Sequence, residues 1–157
     1  MRSSAISRGQ APLSYFVCLL MILGIISCRP GGGGDGLRVV ATTPIIADLA
    51  QAVAGDRADV ISLIPAGADP HTFEMEPSVI RQVAKARLIL ANGLGLEGHL
   101  MEGVMANKAS DAILVVLGER LAPNATDPHL WLDPSMASGY VREIARALAE
   151  VDPEGAP

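Results

Sequence analysis

The sequence predicts an α/β fold, a doubly wound lobe built on a four-stranded parallel sheet. Four short runs of uniformly apolar residues alternate along the chain with segments whose apolar residues recur at helical spacing. Strands that are apolar on both faces are typical of parallel sheets, because helices cover both sides of such sheets. Glycine, proline and aspartate residues between these segments mark where the elements begin and end.

The first half of the lobe follows this pattern closely. Thr43 is the expected N-cap of the first helix, with Pro44 at its first position and Gly55 closing it in a left-handed turn. Apolar residues recur at helical spacing in this segment: Ile46, Leu49, Ala50 and Val53. The four predicted strands, rich in Val, Ile, Leu and Ala, cover residues 37–42, 60–64, 87–91 and 112–117.

The remaining helices are predicted from proline starts and apolar spacing. The second begins at Pro77, with Ile80, Val83 and Ala84 on one face, and the third covers 96–107. Asp133 and Pro134 open the last helix. Its apolar face consists of Tyr140, Ile144, Leu148 and Val151.

An export segment precedes the lobe. Arg2 and Arg8 come before the apolar run 15–26, and the small residue Ser27 follows it. This order is typical of a secretory signal, and the apolar run is too short to cross a bilayer comfortably. We predict a signal peptide over residues 1–27.

The residue after the predicted signal is Cys28, and the ending Ile-Ile-Ser-Cys resembles a bacterial lipoprotein box. Cleavage there would leave Cys28 as a lipid-bearing N-terminus. Residues 28–36 contain four consecutive glycines and are predicted to be a flexible tether. An ordinary cleaved signal with an incidental cysteine is the alternative.

Composition narrows the function classes. The 157-residue chain has a formal net charge of −5 and no basic cluster, which argues against nucleic acid as a partner. Its two cysteines are Cys18, inside the predicted signal, and Cys28. The exported lobe is therefore expected to have neither a disulfide nor a thiolate metal ligand.

Two of the three histidines, His71 and His129, lie in identical Asp-Pro-His triplets. His71 follows the second predicted strand and His129 follows the fourth. Ligands of parallel sheets bind outside the carboxyl ends of the strands, so both loops should emerge at that edge. Imidazole is the commonest metal ligand, and the repeated triplet predicts that His71 and His129 bind a divalent metal ion. Strand order does not follow from sequence, so whether the two loops meet is left open.

An aspartate lies two residues before each of these histidines, Asp69 before His71 and Asp127 before His129. Two roles are open for both aspartates. They either accept a hydrogen bond from the imidazole and orient it toward a metal, or are simply the turn residues that are favoured before proline.

Three stretches resemble one known family: VATTPIIADLAQAVAGDRADVISLIPAGADPHTFEMEPS, LILANGLGLEGHL and DPHLWLDP. The resemblance is to the metal receptors of bacterial ABC importers, the solute-binding lipoproteins for zinc, manganese or iron(II). It extends from about Leu37 to about Val151. In that family two α/β lobes are bridged by one long helix, with the metal between them.

The resemblance carries implications for domains and ligands. Residues 37–132 would be the N-terminal metal-binding lobe and 133–151 the interlobe helix. Positions matching His71 and His129 supply two histidine ligands in the family, and the other lobe supplies a His or Glu and an Asp.

The chain departs from the family in two ways. It ends at Pro157, without the second lobe and its ligands, which would suit a fragment, a truncated reading frame or half of a split receptor. In addition, the loop 118–127, GERLAPNATD, lacks the histidines that zinc-type members often carry. Zn, Mn and Fe(II) all stay chemically open.

A competing motif is the run 93–98, GLGLEG, which matches the G-x-G-x-x-G fingerprint of dinucleotide-binding enzymes, with Glu119 beyond the next strand. It follows the third strand and not the first, and it leaves both Asp-Pro-His triplets unexplained. A tight strand-to-helix turn is the favoured interpretation. The third histidine, His99, has no evident partner and is predicted to be a partly exposed structural residue.

The sequence therefore predicts a receptor lobe and not an enzyme. It would bind a divalent Zn, Mn or Fe(II) ion and deliver it to the permease of an ABC importer. A lipid anchor would hold it to a membrane, facing the periplasm or the cell exterior, and a separate C-terminal lobe is a further candidate partner. The alternative is a lobe-only surface protein with an interaction or adhesion role and vestigial metal ligands. A dinucleotide-binding half-domain is less favoured.

Overall fold

The computed structural model describes residues 36–155. The predicted signal peptide, Cys28 and all but the last residue of the tether lie outside the described residues. Strands within this range are β1 (Leu37–Ala41), β2 (Ala58–Ser62), β3 (Leu88–Ala91) and β4 (Ile113–Val116). Its α-helices are α1 (Pro44–Ala54), α2 (Pro77–Lys85), α3 (Gly98–Asn107), α4 (Leu117–Leu121) and α5 (Pro134–Val151). Short 3₁₀ turns cover Gly55–Arg57, Leu130–Leu132 and Pro153–Gly155.

The strands form one parallel sheet in the order β2-β1-β3-β4. The connection from β1 runs outward to β2, whereas β3 lies on the other side of β1. The strand order thus reverses between β1 and β3, and ligands of open α/β sheets bind at such a reversal, outside the carboxyl ends of the strands. The predicted α/β fold with a four-stranded parallel sheet is confirmed.

Both faces of the sheet are covered, because successive side chains of a strand point to opposite sides. Val39 and Ala41 belong to one buried cluster, together with apolar residues of α1 and α5. Val40, between them in sequence, belongs to the other cluster, with apolar residues of α2 and α3. The same alternation holds in β3, where Leu88 and Leu90 face α5.

The predicted helix starts of α1 and α5 are confirmed. The Thr43 side chain accepts a hydrogen bond from Ile46 N at 3.4 Å. The Asp133 carboxylate accepts one from Ser135 N at 2.7 Å. Side-chain oxygens at these positions satisfy backbone donors that the first helical turn leaves unpaired. Gly55 follows α1 with a φ of 56° and a ψ of −132°, a conformation that favours glycine but differs from the predicted left-handed turn.

Several element bounds differ from prediction. β2 begins two residues earlier, because Ala58 and Asp59 pair with the start of β1, and Leu63 then donates to Ala41 O beyond the strand end. Helix α3 begins at Gly98, since the residues before it form a turn.

Two further predictions were wrong in detail. The buried face of α2 is formed by Val79 and Val83, whereas Ala84 is exposed. The short helix α4 starts at Leu117, which was expected to end the fourth strand. None of the helices in residues 36–155 is long and apolar enough to cross a membrane.

Candidate metal centre

The loops after β2 and β4 bring His71 and His129 together, although these strands lie at opposite edges of the sheet. The centroids of the two imidazole rings are 5.8 Å apart, with their planes inclined at 60°. His71 is exposed and His129 is partly buried. Side chains separated by 58 positions in sequence thus form one solvent-accessible imidazole pair.

The two aspartates of the triplets make different contacts. Asp127 Oδ1 accepts a hydrogen bond from the backbone N–H of His129 at 2.9 Å and also lies 2.7 Å from the ring Nδ1. Asp69 Oδ1 accepts from the backbone N–H of His71 at 3.0 Å. Asp127 therefore contacts its imidazole ring, whereas the bond of Asp69 is the local one of a turn before histidine.

The ring contact with Asp127 has electrostatic and geometric consequences. The backbone N–H of His129, followed by its ring, lowers the pKa of the Asp127 carboxyl by donating hydrogen bonds to it. An ionised Asp127 favours the imidazole tautomer that carries its proton on Nδ1. That tautomer leaves the lone pair of Nε2 available for a metal ion.

Trp131 packs at the edge of this pair, with its ring centroid 5.2 Å from that of His129 at an interplanar angle of 69°. Trp131 thus contacts the second histidine loop. His99 lies on α3 and is exposed. Among residues 36–155, no group of three or more His, Cys, Asp or Glu side chains is arranged to hold a metal ion.

A buried polar network lies beneath the imidazole pair, at the carboxyl ends of β1 and β3. The Asn92 amide donates from Nδ2 to Pro128 O at 3.0 Å, and its Oδ1 accepts from the Tyr140 hydroxyl at 2.7 Å. Burial raises the pKa of Tyr140 to about 12, and the charge of Glu97 acts in the same direction. The phenol is thus a stable proton donor to Asn92.

Glu97 forms the other half of this network and is 1% exposed. Its carboxylate accepts hydrogen bonds from the Thr42 hydroxyl (2.7 Å), the Asn92 N–H (2.7 Å) and the Gly93 N–H (3.2 Å). Three donors offset part of the cost of removing this side chain from water.

These contacts explain the glycine motif that resembled a dinucleotide fingerprint. Gly93, Leu94 and Gly95 have positive φ values of 78°, 55° and 79°, so the chain turns tightly from β3 toward α3. A Cβ on Gly93 would collide with the Val116 side chain. The carboxylate of Glu97 already accepts hydrogen bonds from two backbone N–H groups at this turn. The glycines therefore allow a structural turn around the protein's own carboxyl group.

Sequence reasoning did not identify Asn92, Glu97 and Tyr140 as supports of the histidine loop. A signal was present, since Asn92 directly follows a uniformly apolar strand and Glu97 directly follows the apolar Leu96. A polar residue in such a position is either exposed or held by specific partners. For Asn92, the choice between exposure and specific partners depends on knowing that Pro128 and Tyr140 lie beside it in the fold.

Known proteins resemble this chain along most of its length. A family profile described as zinc-uptake complex component A, periplasmic, matches residues 39–157. The manganese ABC transporter substrate-binding lipoprotein PsaA of Streptococcus pneumoniae is 32% identical, covering 90% of this chain and 51% of that protein. The iron ABC transporter substrate-binding lipoprotein MtsA of Streptococcus pyogenes is 33% identical, covering 86% of this chain and 49% of that protein.

Solved structures agree with these relatives. The Mn-bound periplasmic metal-binding protein of Candidatus Liberibacter asiaticus superposes with a TM-score of 0.70 at 28% identity. The match covers 76% of this chain and 47% of that one. The chain spans about half the length of the curated relatives it matches. By sequence and by fold, it belongs to the zinc-uptake component A family, the metal-binding substrate-binding lipoproteins of bacterial ABC importers.

Proposed function

We propose that this chain is the N-terminal lobe of an extracytoplasmic receptor that binds a divalent Zn, Mn or Fe(II) ion through His71 and His129 and hands it to an ABC importer. The observation that carries the proposal is the imidazole pair, whose ring centroids are 5.8 Å apart at the carboxyl edge of the sheet. Family membership supports the transport role. The relatives named above are substrate-binding lipoproteins for manganese or iron.

The Asp127 carboxylate supports His129 in this role. Metal-bound histidines in proteins almost always donate their other ring N–H to a carboxylate, a carbonyl or water. Asp127 Oδ1 lies 2.7 Å from Nδ1 of His129, so Nε2 is the nitrogen proposed to bind the ion. Asp69 is proposed to shape the turn that presents His71.

The pair by itself is an open site. Zinc in proteins usually takes four ligands, and two imidazoles supply half of them. We expect the 157-residue chain to bind zinc with a dissociation constant of roughly 10 µM to 1 mM, about −7 to −4 kcal/mol. The facing ligands are proposed to come from a C-terminal lobe, a partner that would also exclude water. Delivery to the permease then depends on the complete receptor.

The experiment that tests the proposal is zinc titration calorimetry on the wild type and three alanine variants. His71→Ala and His129→Ala should each abolish measurable binding, because one imidazole holds the ion too weakly. His99→Ala is the matched control, since His99 is exposed on α3 and should leave the affinity unchanged. Equal losses from His99→Ala and His71→Ala would refute the ligand assignment.

Wild-type binding itself is a second check in the same titration. A nanomolar one-to-one complex would mean that the chain completes its own ligand shell, contrary to the half-site proposal. The alternative of a lobe-only surface protein with vestigial ligands stays a prediction. A wild-type chain that binds no zinc, manganese or iron(II) would favour that alternative.

A further inference from the structure

The side chain of Asn92 connects three segments that are distant in sequence. It is fully buried at the carboxyl end of β3. Its Nδ2 donates to Gly93 O (3.1 Å) and to Pro128 O (3.0 Å), while Oδ1 accepts from the Tyr140 hydroxyl of α5. Carbonyl oxygens only accept, so the amide has one orientation that satisfies all its partners.

The backbone of Asn92 is fixed as firmly as its side chain. Its N–H donates to Glu97 Oε1 at 2.7 Å, and its carbonyl accepts from Gly118 N at 2.9 Å. A Cβ on Gly118 would lie 2.7 Å from that carbonyl, so α4 packs directly against it. Every polar group of Asn92 thus has a partner in the fold.

The contact with Pro128 reaches the proposed metal ligand through one peptide unit. Pro128 O and His129 N belong to the same planar peptide group. Asn92 holds its oxygen at 3.0 Å, and Asp127 holds its N–H at 2.9 Å. A peptide plane held at both ends fixes the N–Cα bond of His129, and the contact of its ring Nδ1 with Asp127 Oδ1 at 2.7 Å then restrains the side chain.

We propose that Asn92 is a positioning residue for His129, and that Tyr140 acts through Asn92 by fixing the orientation of its amide. The network aims the His129 imidazole so that Nδ1 meets Asp127 and Nε2 is left for a metal ion. Its bearing on metal binding rests on the proposed function. The positioning of the ring does not, and it can be measured without metal.

The test compares Asn92→Ala, Tyr140→Phe and the double variant with wild type, each labelled with ¹⁵N-histidine and free of metal. Long-range ¹H–¹⁵N spectra report which ring nitrogen of each histidine carries the proton. Asn92→Ala should shift His129 from the Nδ1–H tautomer toward the Nε2–H tautomer, because the ring is no longer held against Asp127. The resonances of His99, which is exposed on α3, should stay in place and serve as an internal control.

Zinc titration of the same samples gives the second readout. Asn92→Ala should weaken binding about tenfold, the usual scale for losing a partner that orients a metal ligand. Tyr140→Phe should cause a smaller loss. The double variant should bind no worse than Asn92→Ala, because residues acting through one path are not additive.

Two control variants separate positioning from general destabilisation. Asn107→Ala removes a similar amide-to-carbonyl bond, Nδ2 to Gly103 O at 2.8 Å, inside helix α3. Ile144→Val shortens a fully buried side chain of α5, the helix that carries Tyr140. Both should lower thermal stability and leave the tautomer of His129 and the zinc affinity unchanged.

The proposal fails if His129 keeps its Nδ1–H tautomer in both Asn92→Ala and Tyr140→Phe. It also fails if the controls weaken zinc binding as much, or if the effects of the two variants add. Should Asn92→Ala not fold, Tyr140→Phe carries the tautomer test, since it keeps the buried ring. A wild type that binds no zinc would overturn the proposed function, and the tautomer readout would still decide the positioning role.

Discussion

Glu97 is the most deeply buried carboxyl group that the structure describes, and its ionisation affects the stability of the fold. Burial raises its pKa above the ordinary value of 4.5, and hydrogen bonds from Thr42, Asn92 and Gly93 offset this only partly. The folded protein therefore keeps this proton to a higher pH than the unfolded chain does. As pH rises above about 4.5, the unfolded state ionises first and Glu97 makes the fold less stable.

Replacement of Glu97 by Gln removes this titration and isolates its effect. The free energy of unfolding of Glu97→Gln minus that of wild type should become more positive as pH rises from below 4.5 to neutral. Urea unfolding at a series of pH values measures the difference. The lowered pKa values of Asp127, Asp133 and Asp152 act below 3.8 and are common to both proteins. A difference that falls with pH would mean that the three hydrogen bonds outweigh burial.

At the scale of elements, α3 supports the loop that carries His71. Met75, at the end of that loop, belongs to the cluster between the sheet, α2 and α3. Its side chain lies over Gly103 so closely that a Cβ there would come within 2.5 Å of Met75 Sδ and 2.7 Å of its Cε. The absence of a side chain at Gly103 thus leaves room for the end of the Met75 side chain.

Gly103→Ala should lower the free energy of unfolding by about 1 kcal/mol. Alanine in a helix interior gains up to roughly 1 kcal/mol over glycine. Overpacking against Met75 costs about 1 to 3 kcal/mol and outweighs that gain. Gly98→Ala is the matched control in the same helix, because a Cβ there meets nothing within 4 Å, and it should be neutral or stabilising. Denaturant unfolding compares the two, and equal stabilisation would show that Met75 moves freely.

At the scale of the whole molecule, the fold presents its proposed site at one edge, and the chain N-terminal to β1 would tie it to a membrane. We propose that Cys28 carries the lipid and that the glycine-rich residues after it form a flexible linker between the anchor and the lobe. The relatives named above are lipoproteins, which supports this arrangement. Two lipid chains or more anchor a protein stably, whereas one is marginal.

Cys28→Ser should release the protein from the membrane fraction and abolish the incorporation of labelled fatty acid. The physical reason is that serine lacks the thiol proposed to bond to the lipid, and the glycine-rich tether has no apolar side chains to replace the anchor. Fractionation and lipid labelling in a bacterial host measure both effects. A Cys28→Ser protein that stays with the membrane after a carbonate wash, yet carries no lipid label, would show that the uncleaved apolar segment is the anchor.

Much of the fold follows from local sequence, because the spacing of apolar residues and the capping residues specify helices and strands over short stretches of chain. The capped starts of α1 and α5, the parallel strands and their apolar faces were all predicted from Thr43, Asp133 and the apolar runs. Local competition explains the errors. Leu117 continues the apolar run of β4, yet its backbone turns into α4, where the next residue donates to Asn92 O.

The sequence by itself determined the α/β lobe, the two Asp-Pro-His loops and their common edge of the sheet. Tertiary structure alone decided that the rings of His71 and His129 lie 5.8 Å apart. It also decided that Asp127 contacts its imidazole ring, whereas the bond of Asp69 is to the backbone. Periodicity and capping act over a few residues and can be read from the chain. The side-chain bonds of Asn92 to Pro128 and Tyr140 join residues 36 and 48 positions apart, and only the packed fold brings those together. The same holds for the strand order.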